Sequence, residues 1–156
     1  MGRRTGAVLV SLLLLLTLAV SASAAAVKMT VGVRFWRESG DKESMADSAV
    51  DTTREATLTR QPNGTFTLEL PVKQISSMNM TGRLTGIAIG EVNYDGTLSG
   101  DLSDGTAVLT LKNLPASVLT GSDSSKALAV TCSIKMDTIL LGDISTSAKM
   151  SIWVER

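Results

Sequence analysis

The chain has 156 residues, with 15 basic and 15 acidic side chains and no histidine. This balanced charge gives no indication of the basic face that nucleic-acid binding needs. Without histidine, a serine or cysteine nucleophile lacks its usual base, and the sequence has no phosphate-binding glycine loop or zinc-ligand cluster, so the composition argues against an enzyme.

Residues 1–24 have the pattern of a secretory signal peptide. The basic start MGRR precedes the apolar run TGAVLVSLLLLLTLAV, and Ala22 and Ala24 occupy the −3 and −1 positions of a cleavage site. We therefore predict an exported chain of residues 25–156, secreted or held at the cell surface. The alternative is an uncleaved anchor, because the apolar run is near the lower length limit for a membrane span. In that case the membrane is contacted only through this segment.

Both ends of the mature chain alternate between apolar and polar residues. The segments VKMTVGVRF, ALAVTCSIKM and SAKMSIWV place apolar residues at every second position, as half-buried strands do. Cys132 lies in one of these stripes and is predicted to be a buried small hydrophobe. Between the stripes, QPNG, Asp95-Gly96 and Asp104-Gly105 indicate tight turns. Seven to nine short strands of this kind predict an all-β fold, an immunoglobulin-like antiparallel β-sandwich in one domain.

The segment DKESMADSAVD interrupts the alternation directly after the first strand. With this segment, the hairpin QPNGTFTLEL, the strand MNMTGRLTGI and the end CSIKMDTILLGDISTSAKMSIWV, the chain resembles a NEAT domain, the haem-capturing module of Gram-positive surface proteins. KESMADSA resembles the family's short 3-10 lip helix, and MTGRL resembles its M-T-G-Y-L motif. The resemblance covers most of residues 27–154. It implies an eight-stranded sandwich with haem between the lip at 42–48 and the hairpin at 134–150.

In that family the last hairpin carries a tyrosine that binds the iron, and a second tyrosine follows four residues later. Met136 stands at the first of these positions and Leu140 at the second, so the chain resembles a divergent member without the tyrosine pair. The resemblance then implies Met136, together with Met45 on the lip, as axial ligands of the haem iron. A thioether is a soft, neutral donor and favours ferrous iron.

The resemblance also assigns two polar residues of the lip to the haem propionates. Ser44 would donate a hydrogen bond and Lys42 would add a charge-assisted contact. Each candidate has a plainer explanation as well. Met136 continues an apolar stripe, and Met45 fills a gap between the sheets. Ser44 caps the lip turn, and Lys42 is a solvated charge.

Two functions follow from these observations. The first is an exported, non-enzymatic haem-binding module for haem capture or relay, which receives haem from a haem-donating protein. The second is a NEAT-like surface or structural module that binds a protein partner without haem. The methionines at both positions where the resemblance implies iron ligands favour haem binding. The missing tyrosines favour the module that binds a protein partner.

Two further metal sites are conceivable from the sequence. Met78 and Met80 in the MNM segment resemble the methionine pairs that hold cuprous copper, although residues two apart on a strand are as well explained as pocket lining. Asp95, Asp101 and Asp104 lie close together in DGTLSGDLSDG and are candidates for calcium, but two Asp-Gly turns account for them without a metal.

Overall fold

The computed structural model describes residues 25–138, 140 and 142–156, so the predicted signal peptide at residues 1–24 lies outside the described residues. Within these ranges no helix is long and apolar enough to cross a membrane. The strands are β1 (Val27–Arg37), β2 (Ala56–Arg60), β3 (Phe66–Pro71), β4 (Ile75–Ser77), β5 (Met80–Ile89), β6 (Val92–Asp95), β7 (Thr97–Ser99), β8 (Val108–Leu114), β9 (Leu128–Met136) and β10 (Asp143–Val154). Short 3-10 helices span Met45–Ala49, Ala116–Val118 and Ser124–Lys126.

The strands form one antiparallel sheet that folds over itself into two layers. Its order is β4-β5-β9-β10-β1-β2-β3-β8-β7, with β6 paired to β5. The fold-over occurs in β1, because its first half pairs with β2 up to Val31 and its second half pairs with β10 from Val31 onward. The chain changes layers again at Gly96, between β6 on β5 and β7 on β8. This confirms the predicted immunoglobulin-like β-sandwich.

The described residues hold ten strands rather than about eight. The excess comes from short segments at the margins of the layers, since β4 and β7 have three residues each and β6 has four. Segments this short give no clear alternation in the sequence, because three or four residues hold at most two apolar positions of a stripe.

The core lies between the two layers and follows the predicted stripes. On β9, Val130, Cys132, Ile134 and Met136 are each at most 5% exposed. Desolvation raises the pKa of the Cys132 thiol to about 12, so this thiol stays protonated at neutral pH, as expected for a buried hydrophobe. Other fully enclosed side chains on the two layers are Phe35, Leu58, Leu68, Leu84, Leu109 and Met150.

The helix Met45–Ala49, called the lip helix below, covers the edge of the second half of β1 that faces away from β10, where only the isolated bridge of Trp36 with Glu43 occurs among the described residues. The N–H of Phe35 donates to Asp47 Oδ1 at 2.8 Å, and the carbonyl of Phe35 accepts from the N–H of Ser44 at 2.9 Å. Ala46 and Ala49 are completely buried and anchor the helix on the core. Covering an edge in this way protects it from pairing with another chain. The predicted short 3-10 helix after the first strand is confirmed.

Candidate functional site

Three segments meet at one end of the sandwich, called the lip end below. The lip helix follows the end of β1, the β4–β5 turn lies at Met78–Asn79, and the β9–β10 connection follows Met136. The lip helix packs against β1, β4 and β5. On the far side of β5, the N–H of Asp137 donates to the carbonyl of Thr81, and the hydroxyl of Thr81 donates to the Asp137 carboxylate, both at 2.8 Å. These bonds attach the β9–β10 connection to the start of β5.

A groove of about 590 Å³ lies beside the lip helix. We call it the lip groove. Its lining is mostly polar and charged, and Met45 and Val50 are its apolar members. Arg34 and Arg37 reach it from β1, and Lys73 and Ser77 reach it from the segment that ends in β4. The groove therefore places a thioether among cationic and hydroxyl groups.

Ser44 and Met45 are the predicted site residues that lie in the lip groove. Ser44 is only 8% exposed, and its Oγ is buried without a hydrogen-bond partner among the described residues. Its side chain makes no capping hydrogen bond to the lip helix, so the explanation of Ser44 as a helix cap is wrong. Met45 is 37% exposed and lines the groove, so it does not plug the space between the sheets.

The structure places the other predicted site residues outside the lip groove. Met136 is 5% exposed on the inner face of β9, opposite Gly82 of β5. Its sulfur lies 2.7 Å from the point where a Cβ on Gly82 would stand, so it occupies the space that the glycine leaves. Leu140 is 96% exposed in the β9–β10 connection. Lys42 is exposed, and its carbonyl accepts from the N–H of Arg37 at 2.7 Å.

A second hydroxyl at the lip end also has no hydrogen-bond partner within the described part of the chain. Thr138 Oγ1, just beyond β9, is buried and unpaired among the described residues, as Ser44 Oγ is on the lip. Buried polar atoms are nearly always hydrogen-bonded, so these two hydroxyls are hydrogen-bonding groups at the lip end that the described residues leave free to contact a ligand. Threonine in a hairpin connection carries no sequence signal for such a role, and Thr138 was not among the predicted residues.

The charges of the lip groove are arranged around Asp47. Desolvation raises the pKa of the Asp47 carboxyl above its ordinary value, although the bond from Phe35 and the nearby charge of Arg34 oppose the shift. Arg34 forms a 3.3 Å ion pair with Glu43. Lys73 is held near the lip because its N–H donates to the carbonyl of Ala49 at 2.8 Å. Sequence reasoning missed Lys73, since this contact joins segments that are not neighbours along the chain.

The structure favours neither of the two additional metal sites that the sequence suggested. Met78 lies in the β4–β5 turn with φ 49° and is 88% exposed, whereas Met80 begins β5, so the pair does not share a strand face. Asp101 accepts from Ser103 and Asp104 accepts from Thr106, so local turns satisfy these two carboxylates. Over the described part of the chain, no group of three His, Cys, Asp or Glu residues is placed to hold a metal ion.

Comparison with known proteins gives a likeness in fold. No family model matches the sequence, and no curated protein matches it. The NEAT5 domain of IsdX2, a B. anthracis hemophore in complex with haem, has a TM-score of 0.53 and 11% identity, covering 85% of this chain and 99% of that chain. A mutant of IsdX2-NEAT5 in complex with haem has the same TM-score and identity, covering 85% of this chain and 98% of its own. The chain thus has a NEAT-like fold.

Proposed function

We propose that the protein is a non-enzymatic haem-binding module that holds haem at the lip end, between the lip helix and the β9–β10 hairpin. One observation carries the proposal: in the lip groove, the buried hydroxyl of Ser44, which has no hydrogen-bond partner among the described residues, lies beside the solvent-accessible thioether of Met45. The likeness in fold to two NEAT domains in complex with haem supports it.

The residues at the lip end fit the parts of a haem. Haem needs a donor for its iron, polar groups for its propionates and apolar contacts for its porphyrin; the mostly polar lip groove would supply the first two, and the porphyrin would rest on Met45, Val50 and the opposite connection. The thioether of Met45 is the donor we assign, and the Ser44 hydroxyl would donate to a propionate. Lys73 and Arg37 line the same groove and would add charge-assisted hydrogen bonds. Leu140, almost fully exposed in the opposite connection, would contact the porphyrin.

Met136 is the second iron ligand we assign, and its side chain would have to change conformation to reach the iron. Its sulfur lies in the space over Gly82, and methionine has three rotatable side-chain bonds with which to turn away. A bound haem supplies an iron that changes between ferric and ferrous states, and thioether ligands favour the ferrous state. Lys42, exposed beside the lip, would contact a propionate only from the outside.

The biological role we propose is haem capture or relay outside the cytoplasm. The predicted signal peptide at residues 1–24 would export the chain to the cell surface or beyond. There it would receive haem from a haem-donating protein. An open groove with an exposed ligand on its lip suits a module that must both receive haem and release it.

The test is the absorption spectrum of the purified protein after addition of haem, in both oxidation states. We expect a sharp six-coordinate, low-spin ferrous spectrum that Met45→Leu and Met136→Leu each abolish. Met29→Leu is the matched control, because Met29 lies near the start of β1, at the opposite end of that strand from the lip helix. A Soret band no stronger than that of haem with an unrelated protein would refute the proposal.

A protein-binding module without haem is the second candidate. The exposure of Met78 (88%) and Leu140 (96%) at the same end favours it, because large exposed apolar side chains that cluster often mark contact sites. In this case haem addition gives no specific spectrum. A surface partner added to the protein would then protect the backbone amides of the lip end from hydrogen exchange, and Leu140→Ser would weaken that protection.

A further inference from the structure

Val33 of β1 directs its backbone N–H and C=O to an edge that no strand covers among the described residues. The carbonyl of Thr30 accepts from the N–H of Glu155, so the even-numbered residues of β1 bond to β10 and the odd-numbered residues point the other way. On that other side, β2 pairs with β1 as far as Val31, and Phe35 bonds to the lip. Val33 lies between them, and no described residue bonds to its N–H or C=O there. These two groups are therefore free to pair with an added chain segment.

A cleft of about 290 Å³ lies beside this edge, and we call it the β1 cleft. The edge of β1 from Val31 to Arg34 lines one side, and residues 50–56 line another. Arg54 holds the second side in place, because its guanidinium donates to Asp51 at 2.8 Å and to the carbonyl of Ala107 at 2.7 Å. Hydrogen bonds within the protein thus fix the segment that faces the free edge.

Trp153 of β10 also lines the β1 cleft. It is directly opposite Gly32 of β1, and a Cβ on Gly32 would overlap its indole. The indole therefore lies over the backbone of β1, in a space that a glycine leaves open, and it is half-buried. Tryptophan is the aromatic side chain that attracts a cation most strongly to its ring face. The β1 cleft thus has a positioned aromatic ring beside its free edge.

The charged groups of the β1 cleft leave two carboxylates without a partner. The two arginines of the lining are already paired, one with Asp51 at 2.8 Å and the other with Glu43 at 3.3 Å, and Glu43 is not part of the lining. Glu55 and Glu155 line the cleft and are exposed, and neither forms an ion pair with another residue in the described ranges. A cationic group is therefore the ligand that complements this lining.

We propose that the β1 cleft is a docking site for an extended, basic segment of a partner protein. One residue of the segment would exchange two hydrogen bonds with Val33, as a strand added to a sheet edge does. The next residue would be opposite Gly32, with its side chain on the face where Trp153 lies. A lysine or arginine there would contact the indole and the carboxylates of Glu55 and Glu155.

The docked segment would lie next to the lip groove, because Arg34 lines both the β1 cleft and that groove. Binding of the segment does not depend on haem, since Val33, Glu55, Glu155 and Trp153 do not line the lip groove.

The experiment is an NMR titration of the ¹⁵N-labelled, haem-free protein with a capped heptapeptide that has lysine at its centre and neutral residues elsewhere. We expect the amide proton of Val33 to move downfield and the indole N–H of Trp153 to shift, with tighter binding at low salt. A peptide with glutamate in place of lysine should bind about fivefold more weakly or worse. A lysine peptide N-methylated on both residues beside the lysine cannot donate to the carbonyl of Val33, and it should bind about five- to tenfold more weakly.

Variants of the protein test the side chains of the β1 cleft. Glu55→Gln and Glu155→Gln should each weaken binding of the lysine peptide about two- to fivefold. Trp153→Leu should weaken it about three- to tenfold. Glu91→Gln is the matched control, because Glu91 is exposed in the β5–β6 turn and does not line the cleft, and it should leave the affinity unchanged.

The proposal is overturned if the lysine peptide does not bind, or if its glutamate or N-methylated counterpart binds as tightly. It is also overturned if the shifted amides lie outside the β1 cleft. The comparison of peptides uses the unmodified protein, so the test remains decisive if a variant does not fold. None of these results depends on the haem spectrum, so this proposal and the proposed function fail separately.

Discussion

Phe35 gives both of its backbone hydrogen-bonding groups to the lip: its N–H donates to Asp47 Oδ1 at 2.8 Å, and its carbonyl accepts from the N–H of Ser44 at 2.9 Å. Met45 lies between these two attachments along the chain. The position of its thioether therefore depends on the carboxylate of Asp47.

Replacing Asp47 should loosen the lip helix. Asp47→Ala leaves the partly buried N–H of Phe35 without an acceptor, and we expect a loss of about 1–3 kcal/mol in the free energy of unfolding. Asp47→Asn keeps an oxygen acceptor and should lose less. Urea unfolding measures both variants, and hydrogen exchange at the amide of Phe35 reports the local opening. If Asp47→Ala unfolds at the wild-type urea concentration, the carboxylate does not secure the lip.

Asp51 should make the protein less stable in acid. The hydroxyl of Thr53 and the guanidinium of Arg54 donate to its carboxylate and lower its pKa to about 2 from an ordinary value of 3.8. A carboxyl whose pKa is lower in the folded state contributes stability above pH 3.8, and this contribution is lost as the pH falls toward 2. We expect Asp51→Asn to reduce the free energy of unfolding at neutral pH. The further loss of stability between about pH 4 and pH 2 should then be smaller than in the wild type.

Asp47→Asn is the matched control for the acid experiment, because the pKa of Asp47 is shifted in the opposite direction. Burial raises it, so the folded protein takes up this proton at a higher pH than the unfolded chain and gains stability on acidification. Asp47→Asn should therefore make the free energy of unfolding fall more steeply on acidification, whereas Asp51→Asn should make it fall less steeply. Equal acid profiles for the two variants would contradict the assignment of both shifts.

Met78→Asn should stabilise the protein. Met78 holds a positive φ in the β4–β5 turn, which costs a non-glycine residue about 1–2 kcal/mol, and asparagine tolerates this conformation better. Because the side chain is exposed, the substitution sacrifices little packing. We expect a gain of about 1 kcal/mol in thermal or urea unfolding. Asn79→Ala should have the opposite effect, and a neutral result at both positions would argue against strain in this turn.

Gly82→Ala should displace the thioether of Met136. The new methyl group would stand 2.7 Å from the Met136 sulfur and 3.2 Å from the carbonyl of Lys135. The sulfur is at the end of a flexible side chain and can move, whereas the carbonyl belongs to the backbone. We expect a cost of about 1–3 kcal/mol, and a smaller added cost in the double variant with Met136→Ala, where the methyl has room. Additive losses would show that the two residues do not share this space.

The β-sandwich could be predicted from the sequence because most of its strands are long enough to show an alternating pattern. The apolar stripe on β9 was predicted from its alternation, and Cys132 within it is buried as expected. The lip helix was predicted through a resemblance rather than from the pattern, since five residues with two alanines give no helical period. The structure explains its composition: Ala46 and Ala49 fit against the core, and Asp47 completes the edge of β1.

The candidate site was predicted less completely, because it depends on contacts between distant segments. The sequence pointed to Ser44 and Met45 but gave no sign that the Ser44 hydroxyl would be buried without a partner among the residues that the structure describes. Lys73 reaches the groove through its backbone bond to Ala49, which no local pattern encodes. The resting place of the Met136 sulfur depends on which residue faces it, and the register of β5 against β9 decides that.

β1 pairs with β2 along its first half and with β10 along its second half, and this arrangement determines the order in which the domain can fold. Val31 pairs with Ala56 on one side and with Val154 on the other, so the second half of β1 finds its partner only in the last strand. β2 and β3 follow β1 closely along the chain and can join its first half early, whereas the segment from Gly32 to Arg37 pairs only once β10 is available. Contacts between such distant positions slow folding. The lip helix, which takes its hydrogen bonds from Phe35, should therefore be among the last parts of the protein to acquire its native structure.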